Sequence, residues 1–263
     1  MNIQKKLESF FKENSKAAIA FSGGVDSAYL LYAALETGAQ VRAYYVKSCF
    51  QPQFELDDAL QLAEELNADM TVLQADVLSV PEIRNNPADR CYYCKHKIFG
   101  TIIEAACNDG FSLILDGTNA SDDASDRPGM SALEELSVRS PLRECGLTKA
   151  EIRRLSKEAG LFTWDKPAYA CLATRIPAGE EITLDKLEKT EKAEAYLMSL
   201  GFVDFRVRQY NRFLSGSRQT DEVTALLQVR AEQIPLVLEK RSDIISELKK
   251  YYGSVTLDLC PRV

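Results

Sequence analysis

The chain has 263 residues, enough to bury a full core in one large or two smaller domains. A hydrophobic content of 46% and a charged content of 27% are typical of a globular protein, and no apolar run is long enough to span a membrane. The net charge of -7 argues against nucleic acid as a partner, because nucleic-acid footprints are basic.

The amino-terminal segment 1–18 predicts a polar amphipathic helix rather than a signal peptide, so we expect a cytoplasmic protein. The seven cysteines are odd in number and follow no secretion signal. They therefore favour metal or thiol chemistry over a disulfide framework.

The first elements predict strands that alternate with helices. Residues 17–21 are a short apolar run typical of a buried strand, and a glycine-rich turn at 22–27 leads into a helix at 28–37. Further strands are predicted at 41–48 and 70–77, on either side of a helix at 56–67. The alternation indicates an α/β fold with a doubly wound, mostly parallel sheet, whose ligands bind at the carboxyl ends of the strands.

The turn at 22–27, SGGVDS, has the composition of a phosphate-binding loop. Two glycines allow close backbone approach to an anion, and the amides and dipole of the following helix favour negative charge. We expect ATP phosphates to bind at Ser22, Gly23, Gly24, Asp26 and Ser27, with Asp26 also holding Mg2+. The Walker sequence is absent, and an ordinary tight turn is the alternative.

The remaining elements indicate a second domain. The middle of the chain predicts a loop at 79–90, a helix at 91–108, a strand at 112–115, an acid-rich loop at 120–130, and a helix from Thr148 to Gly160 whose capping box is Thr148 with Glu151. The last part predicts an irregular stretch at 161–179, a helix at 184–200, a strand at 205–209, a mostly helical region at 222–252 that Pro235 ends or kinks, and a strand at 254–259. We place the domains at 1–178 and 179–263, the second one smaller and α+β.

Cys91 and Cys94 form a C-x-x-C pair at a predicted helix start, where the helix terminus favours thiolate. With Cys171 they could hold three irons of a [4Fe-4S] cluster and leave the fourth open. A zinc site completed by His96, a redox pair, and two buried small residues are the alternatives. The other four cysteines are interpreted as small apolar residues: Cys49, Cys107, Cys145 and Cys260.

Six blocks together resemble one family along nearly the whole chain. They are 22–27 (SGGVDS), 91–95 (CYYCK), 115–129 (LDGTNASDDASDRPG), 170–179 (ACLATRIPAG), 205–208 (FRVR) and 255–259 (VTLDL). The first resembles the PP-loop of ATP pyrophosphatases, and the set resembles LarE, the ATP-dependent sulfur transferase of nickel-pincer nucleotide cofactor biosynthesis. The resemblance implies a PP-loop, adenine nucleotide alpha hydrolase-like fold.

The same resemblance implies the reaction and the sulfur source. LarE enzymes adenylylate the carboxylates of pyridinium-3,5-biscarboxylic acid mononucleotide and convert them to thiocarboxylates, forming AMP and pyrophosphate. One branch sacrifices a single cysteine at the position of Cys171, and the other has three cysteines that match Cys91, Cys94 and Cys171. This chain looks like the second branch, which implies a [4Fe-4S] cluster that carries sulfide, an inorganic sulfide or other sulfur donor, and a homo-oligomer.

Five further residues are candidates for ligand binding. Asp116 and Gly117 end the fourth predicted strand and are assigned to ATP, with a simple turn as the alternative. Arg206 and Arg208 lie on one face of a strand and are assigned to the substrate phosphate, as in the family; a solvated face is the alternative. Arg175 could neutralise a phosphate or carboxylate, or be a surface arginine.

Two features are less certain matches to the family. Glu194 matches a family carboxylate implicated in metal binding, and the solvent face of a charged helix is the alternative. Residues 210–224 form a polar insertion in which the family's later metal-binding aspartate cannot be placed. Two other functions stay open: a tRNA-thiolating PP-loop enzyme, and a zinc-stabilised nucleotide-binding protein without turnover.

Overall fold

The computed structural model describes residues 3–122, 128–211, 223–260 and 262. The chain forms two compact units, each described by itself below. Unit 1 comprises Met1–Ile83 and Ala88–Lys166, and unit 2 comprises Arg84–Pro87 and Pro167–Val263. The division after Lys166 precedes the sequence boundary after residue 178, and the extent of the independently folding domains stays a prediction.

The described elements alternate between helices and strands in the first half of the chain. The strands are β1 Lys16–Ala20, β2 Gln40–Lys47, β3 Met70–Gln74, β4 Ile114–Leu115, β5 Arg206–Asn211, β6 Val223–Gln228 and β7 Ser254–Leu257. The α-helices are α1 Ile3–Glu13, α2 Val25–Glu36, α3 Gln53–Glu65, α4 Pro81–Arg84, α5 Arg90–Asn108, α6 Pro128–Glu135, α7 Pro141–Glu144, α8 Lys149–Glu158, α9 Leu184–Ser199, α10 Ile234–Glu239 and α11 Arg241–Leu248. Short 3-10 helices occupy Phe162–Asp165, Leu172–Arg175 and Ala231–Gln233. None of the described helices is long and apolar enough to cross a membrane.

Unit 1 contains a four-stranded sheet in the order β3-β2-β1-β4, and all its strand pairs are parallel. From β1, the chain adds β2 and β3 on one side and β4 on the other. This strand order is that of a doubly wound sheet and confirms the predicted fold class. β1 is central, so its side chains are buried on both faces, with Ala17, Ala18 and Ile19 fully inaccessible.

The end of β1 and the end of β4 lie side by side, because Ile19 is in register with Leu115. Both strands therefore deliver their following turns to the same edge of the sheet. On the helix side, α8 begins with the predicted capping box: the Thr148 hydroxyl accepts a bond from the Glu151 amide, and the Glu151 carboxylate accepts from the Thr148 amide.

Unit 2 contains a three-stranded sheet in the order β5-β6-β7, with an antiparallel and a parallel pairing. This sheet confirms that a second, smaller sheet is present, and the helices of unit 2 make the unit α+β. The predicted helix at 222–252 is wrong at its start, because β6 lies there and buries Ala225 and Leu227 on one face. Pro235 lies in the first turn of α10, which begins at Ile234, rather than ending a helix; proline is tolerated there because the amide it lacks has no partner within the helix at that position.

Other expected boundaries differ by less. α6 begins at Pro128, inside the segment expected to be a loop, and residues 123–127 lie outside the described part of the chain. The irregular stretch at 161–179 contains two 3-10 turns. Most of the polar insertion at 210–224 also lies outside the described residues.

Candidate active site: a phosphate loop and a cysteine loop

The turn at 22–27, here called the phosphate loop, connects β1 to α2 at the carboxyl edge of the sheet. Its two serines close it: the Ser22 amide donates to Ser27 Oγ (3.2 Å), the two hydroxyls lie 3.1 Å apart, and Ser27 Oγ donates to the Gly24 carbonyl (3.1 Å). Gly24 is the N-cap of α2 and makes no side-chain cap bond. No N-cap side chain therefore accepts hydrogen bonds from the amides in the first turn of α2. These amides are left to bind an anion.

Gly23 is required by the geometry of this loop. Its φ of +71° lies in the left-handed region, and a Cβ on it would come 3.0 Å from Ala59 Cβ of α3. A larger residue would strain the backbone and separate the phosphate loop from α3.

Asp26 is the only carboxylate of the phosphate loop, and its two oxygens differ. Oδ2 accepts a bond from Lys149 Nζ at 2.5 Å, while Oδ1 is buried and has no hydrogen-bond partner among the described residues. Burial raises the pKa of Asp26 above its usual value of 3.8, and the bond from Lys149 offsets this only in part. An orphaned carboxylate oxygen beside a phosphate-binding turn fits a hard cation such as Mg2+.

The turn after β4 packs directly on the phosphate loop. A Cβ on Gly117 would lie 2.9 Å from the Ser27 amide nitrogen, so only glycine fits. Asp116 beside it is buried and accepts bonds from Ser140 Oγ (2.6 Å) and from the Thr118 amide and hydroxyl. The structure thus brings residues 116–117 to the loop, and Asp116 stabilises the turn. Whether they also bind ATP stays a prediction.

Cys91 and Cys94 lie in the first turns of α5 in unit 1, Cys91 exposed and Cys94 partly buried. His96, the residue of the zinc alternative, pairs instead with Glu135 of α6 at 2.9 Å, and Tyr92 donates to the same carboxylate oxygen (2.8 Å). This network fixes α5 against α6 beside the cysteine pair.

Cys171 lies in unit 2, at the N-cap of the 3-10 turn Leu172–Arg175, and is partly buried. We call residues 168–174 the cysteine loop. The Cys171 carbonyl accepts bonds from the Thr174 amide (3.0 Å) and hydroxyl (2.9 Å), and from Arg175 Nη1 (3.3 Å).

The three arginines assigned to substrate phosphate all bind backbone carbonyls of unit 2. Arg175 is fully buried, so the interpretation as a surface residue is wrong. Arg206 is also buried and donates to the carbonyls of Phe205 (2.6 Å) and Ala168 (2.7 Å). Arg208 donates to Gln228 Oε1 (2.6 Å) and to the Thr174 carbonyl.

These arginines gather several cationic groups, with the carboxylates of Glu194 and Asp204 beside them. Burial, together with the charges of Arg175 and Arg262, lowers the pKa of Arg206 to about 10 and also lowers the pKa of Arg208. Such a site gains free energy when an anion neutralises it. The phosphate assignment of Arg206 and Arg208 stays a prediction, and it requires an anion to compete with the carbonyls.

Two residues that sequence reasoning undervalued are central to these sites. Glu194 is 2% exposed and pairs with Arg175 inside unit 2, so its interpretation as part of a solvent face is wrong. Lys149 is not recognisable as a site residue in the sequence, because nothing local relates it to Asp26, 123 residues away. The one sequence feature that points to Lys149 is its position at the start of helix α8, immediately after the N-cap Thr148.

The four remaining cysteines are also free thiols. Cys145 is buried, and burial raises its pKa and raises the pKa of Cys49 to about 11. Both therefore behave as the small apolar residues expected. Cys107 and Cys260 are exposed, unlike such residues.

The three cysteines expected to hold a cluster are divided between the two units. Within the described ranges, no three or more histidine, cysteine or acidic side chains are grouped so that they could hold a metal ion. Cys91 and Cys94 belong to unit 1 and Cys171 belongs to unit 2. Within either unit taken by itself, the described residues therefore do not fit a [4Fe-4S] cluster.

A strand, a glycine turn with two serines and a carboxylate, and a helix at the edge of a parallel sheet define a PP-loop nucleotide-binding enzyme. Residues 16–85, which contain this unit, match the family model "Queuosine biosynthesis protein QueC". The tRNA-specific 2-thiouridylase MnmA of Thermotoga sp. is 24% identical over 57% of this chain and 54% of its own length.

Longer matches define the family more narrowly. An uncharacterized protein of Synechocystis sp. is 35% identical over 98% of this chain and 94% of its own length. The pyridinium-3,5-bisthiocarboxylic acid mononucleotide synthase of Lactiplantibacillus plantarum is 37% identical over 78% of this chain and 75% of its own. The chain belongs to the family of this synthase, the LarE family that its motifs resemble.

Proposed function

We propose that this protein is an ATP-dependent sulfur transferase that converts the carboxylates of pyridinium-3,5-biscarboxylic acid mononucleotide to thiocarboxylates in nickel-pincer nucleotide biosynthesis. The observation that carries the proposal is the 37% identity to the Lactiplantibacillus plantarum synthase, combined with an intact phosphate loop. The relative's name supplies the product, and the loop supplies the means to use ATP.

The chemistry needs ATP because a carboxylate is a poor electrophile, whose leaving group would be oxide. Attack of a carboxylate oxygen on the α-phosphorus of ATP forms an acyl adenylate and expels pyrophosphate. A sulfur nucleophile then adds to the acyl carbon, and AMP leaves with the former carboxylate oxygen. Each carboxylate therefore consumes one ATP and one sulfur atom.

The phosphate loop binds the leaving pyrophosphate. Its serine hydroxyls and the amides at the start of α2 donate to phosphate oxygens, and Lys149 lies close enough to Asp26 to share the same phosphates. Asp26 would hold Mg2+ through its orphaned Oδ1, and a bound Mg2+ screens phosphate charge during the transfer.

The finer parts of the proposal concern sulfur, location and assembly. Cys171 takes part in sulfur delivery, the sulfur comes from inorganic sulfide or another donor, and the protein is a cytoplasmic homo-oligomer. Arg206 and Arg208 receive the substrate phosphate. These assignments are supported by the family resemblance and by the cationic character of the region around Arg206.

The activity is tested by incubating the purified protein with ATP, Mg2+, sulfide and the biscarboxylic acid mononucleotide. We expect the release of AMP and pyrophosphate. Mass spectrometry of the product should show one sulfur atom in place of one oxygen atom for each carboxylate converted. Cys171→Ala should still form AMP but no thiocarboxylate. A wild-type protein that forms no AMP with this substrate would overturn the proposal and would leave a nucleotide-binding role without turnover.

The [4Fe-4S] cluster implied by the resemblance has a test of its own. Iron and acid-labile sulfide are measured on protein purified without oxygen, and a cluster gives about four irons per chain. Iron should fall in Cys91→Ala, Cys94→Ala and Cys171→Ala, whereas Cys107→Ala, on the same helix α5 and exposed, is the matched control. An iron content equal in all four variants contradicts the cluster.

A second function, tRNA thiolation, is favoured by the matches to MnmA enzymes, of which the one from Thermotoga sp. is covered over 54% of its length. It predicts salt-sensitive binding of tRNA, since phosphate contacts release counterions. The net charge of -7 weighs against it. A mobility shift of tRNA at low salt that is lost at higher salt would favour this function, and absence of any shift would remove it.

A further inference from the structure

The carbonyl oxygens of the cysteine loop are held by three buried or half-buried arginines. Arg206 holds the Ala168 carbonyl, and Arg208 holds the Thr174 carbonyl. Arg175 holds the carbonyls of Ala170 and Cys171, the two peptide groups that flank the Cys171 α-carbon, at 2.6 Å and 3.3 Å. The backbone on both sides of the Cys171 thiol is therefore fixed by one guanidinium.

Arg175 is itself fixed by Glu194 of helix α9. Nε and Nη2 of Arg175 donate to Oε1 and Oε2 of Glu194, both at 2.9 Å, a parallel two-bond pair. Burial alone would lower the pKa of Arg175, but the bonds and charge of Glu194 raise it. This leaves Nη1 as the part of the guanidinium that points to the cysteine loop.

Glu194 accepts two further hydrogen bonds, one from strand β5 and one from the cysteine loop. Its Oε1 also accepts from the Val207 amide of β5 (2.8 Å), and its Oε2 from the Tyr169 hydroxyl. Four donors occupy the four lone-pair positions of this carboxylate. Glu194 thereby joins α9, β5 and the cysteine loop at one buried point.

We propose that Arg175 and Glu194 are a positioning pair, whose task is to hold the Cys171 backbone in place for sulfur transfer. The role assigned to Cys171 rests on the proposed function, but the holding of the loop does not. In this chain the pair acts through the loop, and neither residue needs to touch the substrate.

The alternative is that the pair only stabilises unit 2, and the two roles make different predictions. Buried ion pairs replaced by apolar residues of similar size commonly leave the fold intact. An apolar pair such as Arg175→Met with Glu194→Leu can fill the space, but it cannot donate to the carbonyls of Ala170 and Cys171. If the pair only stabilises unit 2, the folded double variant should keep the wild-type accessibility of Cys171, whereas loss of a positioning pair should change it.

The test measures how fast iodoacetamide alkylates Cys171, read by peptide mass spectrometry, in the wild type, in Arg175→Lys, and in the double variant Arg175→Met/Glu194→Leu. The exposed cysteines Cys107 and Cys260 are internal controls in every sample. Losing the charge-assisted bonds to the cysteine loop should make the loop open more often, so we expect alkylation of Cys171 to accelerate about tenfold in the double variant and by less in Arg175→Lys. The control cysteines should not change.

Equal Cys171 rates in the wild type and the folded double variant overturn the positioning role, and no assay of activity is needed to see it. If sulfur transfer is measurable, kcat for thiocarboxylate should fall in both variants while the KM for ATP, set in unit 1, stays the same. Arg175→Lys keeps the charge but loses the two-bond fork, so a partial rescue relative to the double variant is also expected. If the wild type lacks sulfur transfer altogether, the proposed function fails, whereas the alkylation result still decides the role of the pair.

Discussion

At the scale of single residues, Asp26 is a candidate ligand-binding residue whose burial lowers the free energy of unfolding. The carboxylate is mostly buried, one oxygen has no described hydrogen-bond partner, and burial raises its pKa. A charge that burial disfavours is retained where a ligand later compensates it. Lys149 provides partial compensation while no phosphate is bound.

Asp26→Asn should therefore separate stability from activity. The folded-state pKa of Asp26 is raised above 3.8, so the folded protein binds more protons than the unfolded one in the range just above that value. Its contribution to stability is fully present at lower pH and is lost as pH rises through the folded pKa. We expect Asp26→Asn to remove this slope and to leave the free energy of unfolding at neutral pH unchanged or higher.

The activity of the same variant should fall, because the neutral amide is a weaker Mg2+ ligand. We expect formation of AMP to drop by about a hundredfold or more. Thermal unfolding across pH and AMP release measured on one preparation check both parts. A variant that is strongly destabilised at neutral pH, or fully active, contradicts this account.

The phosphate loop could be predicted from sequence because its chemistry lies in six consecutive residues. The Lys149–Asp26 and Arg175–Glu194 pairs could not, since each depends on how distant elements pack. A charged side chain looks the same in sequence whether it is solvated or buried in a pair, and exposure is the more frequent state. For that reason the charged sequence of helix α9 leaves a solvent-facing Glu194 open as an alternative to a binding role.

At the scale of elements, the approach of the β4 turn to the phosphate loop should tolerate no side chain. Gly117→Ala would put a Cβ 2.9 Å from the Ser27 amide nitrogen and 3.1 Å from its Cα, both backbone atoms that cannot rotate away. We expect a loss of about 1–3 kcal/mol in the free energy of unfolding and a raised KM for ATP, because Ser27 must shift.

Gly100→Ala is the matched control for this substitution. Gly100 lies inside helix α5, and a Cβ there meets nothing within 4 Å. Alanine is the better helix former, so stability should rise by about 0.5–1 kcal/mol with no change in the KM for ATP. Denaturant unfolding and initial rates distinguish the pair, and a neutral Gly117→Ala would show that the close approach is not required.

Strand β6 explains where local sequence patterns fail. The segment VTALLQ is rich in residues that favour helices, and helical sequence follows it. In the structure its edges pair with β5 and β7, and alternate residues Ala225 and Leu227 enter the core of unit 2. The pairing partners lie before and after it in the chain, so tertiary contacts decided its conformation.

At the scale of the whole molecule, each unit has a core of its own. The core of unit 1 surrounds β1 and α2 and includes Ile19, Leu30 and Leu31, whereas that of unit 2 includes Leu197, Val207 and Leu227. Alternating strands and helices made the first core predictable from periodicity. The second depends on a mixed sheet with one antiparallel and one parallel pairing, which periodicity alone does not indicate.

Exposed apolar side chains are unevenly divided between the units, and this bears on the expected homo-oligomer. Among the described residues, the large apolar side chains most exposed to solvent belong to unit 2: Leu184, Val203, Leu238 and Leu259, at 56–79% exposure. In unit 1, Leu60 and Val72 reach 47% and 37%. In the proposed homo-oligomer, the side chains of unit 2 are the most exposed described apolar surface that a contact between copies could cover. We therefore expect unit 2 to provide the contact between copies of the chain.

The double variant Leu184→Glu/Leu238→Glu tests this expectation, with Leu60→Glu in unit 1 as the matched control. An unpaired carboxylate buried in an interface costs about 3 kcal/mol or more, so the dissociation constant should rise by roughly a hundredfold or more. Light scattering coupled to size-exclusion chromatography, over a range of protein concentrations, should show smaller particles for the double variant only. Since all three positions are exposed within one chain, none of the substitutions should lower the unfolding temperature of the separated subunits. An unchanged mass for the double variant, or dissociation caused by Leu60→Glu, would place the interface elsewhere.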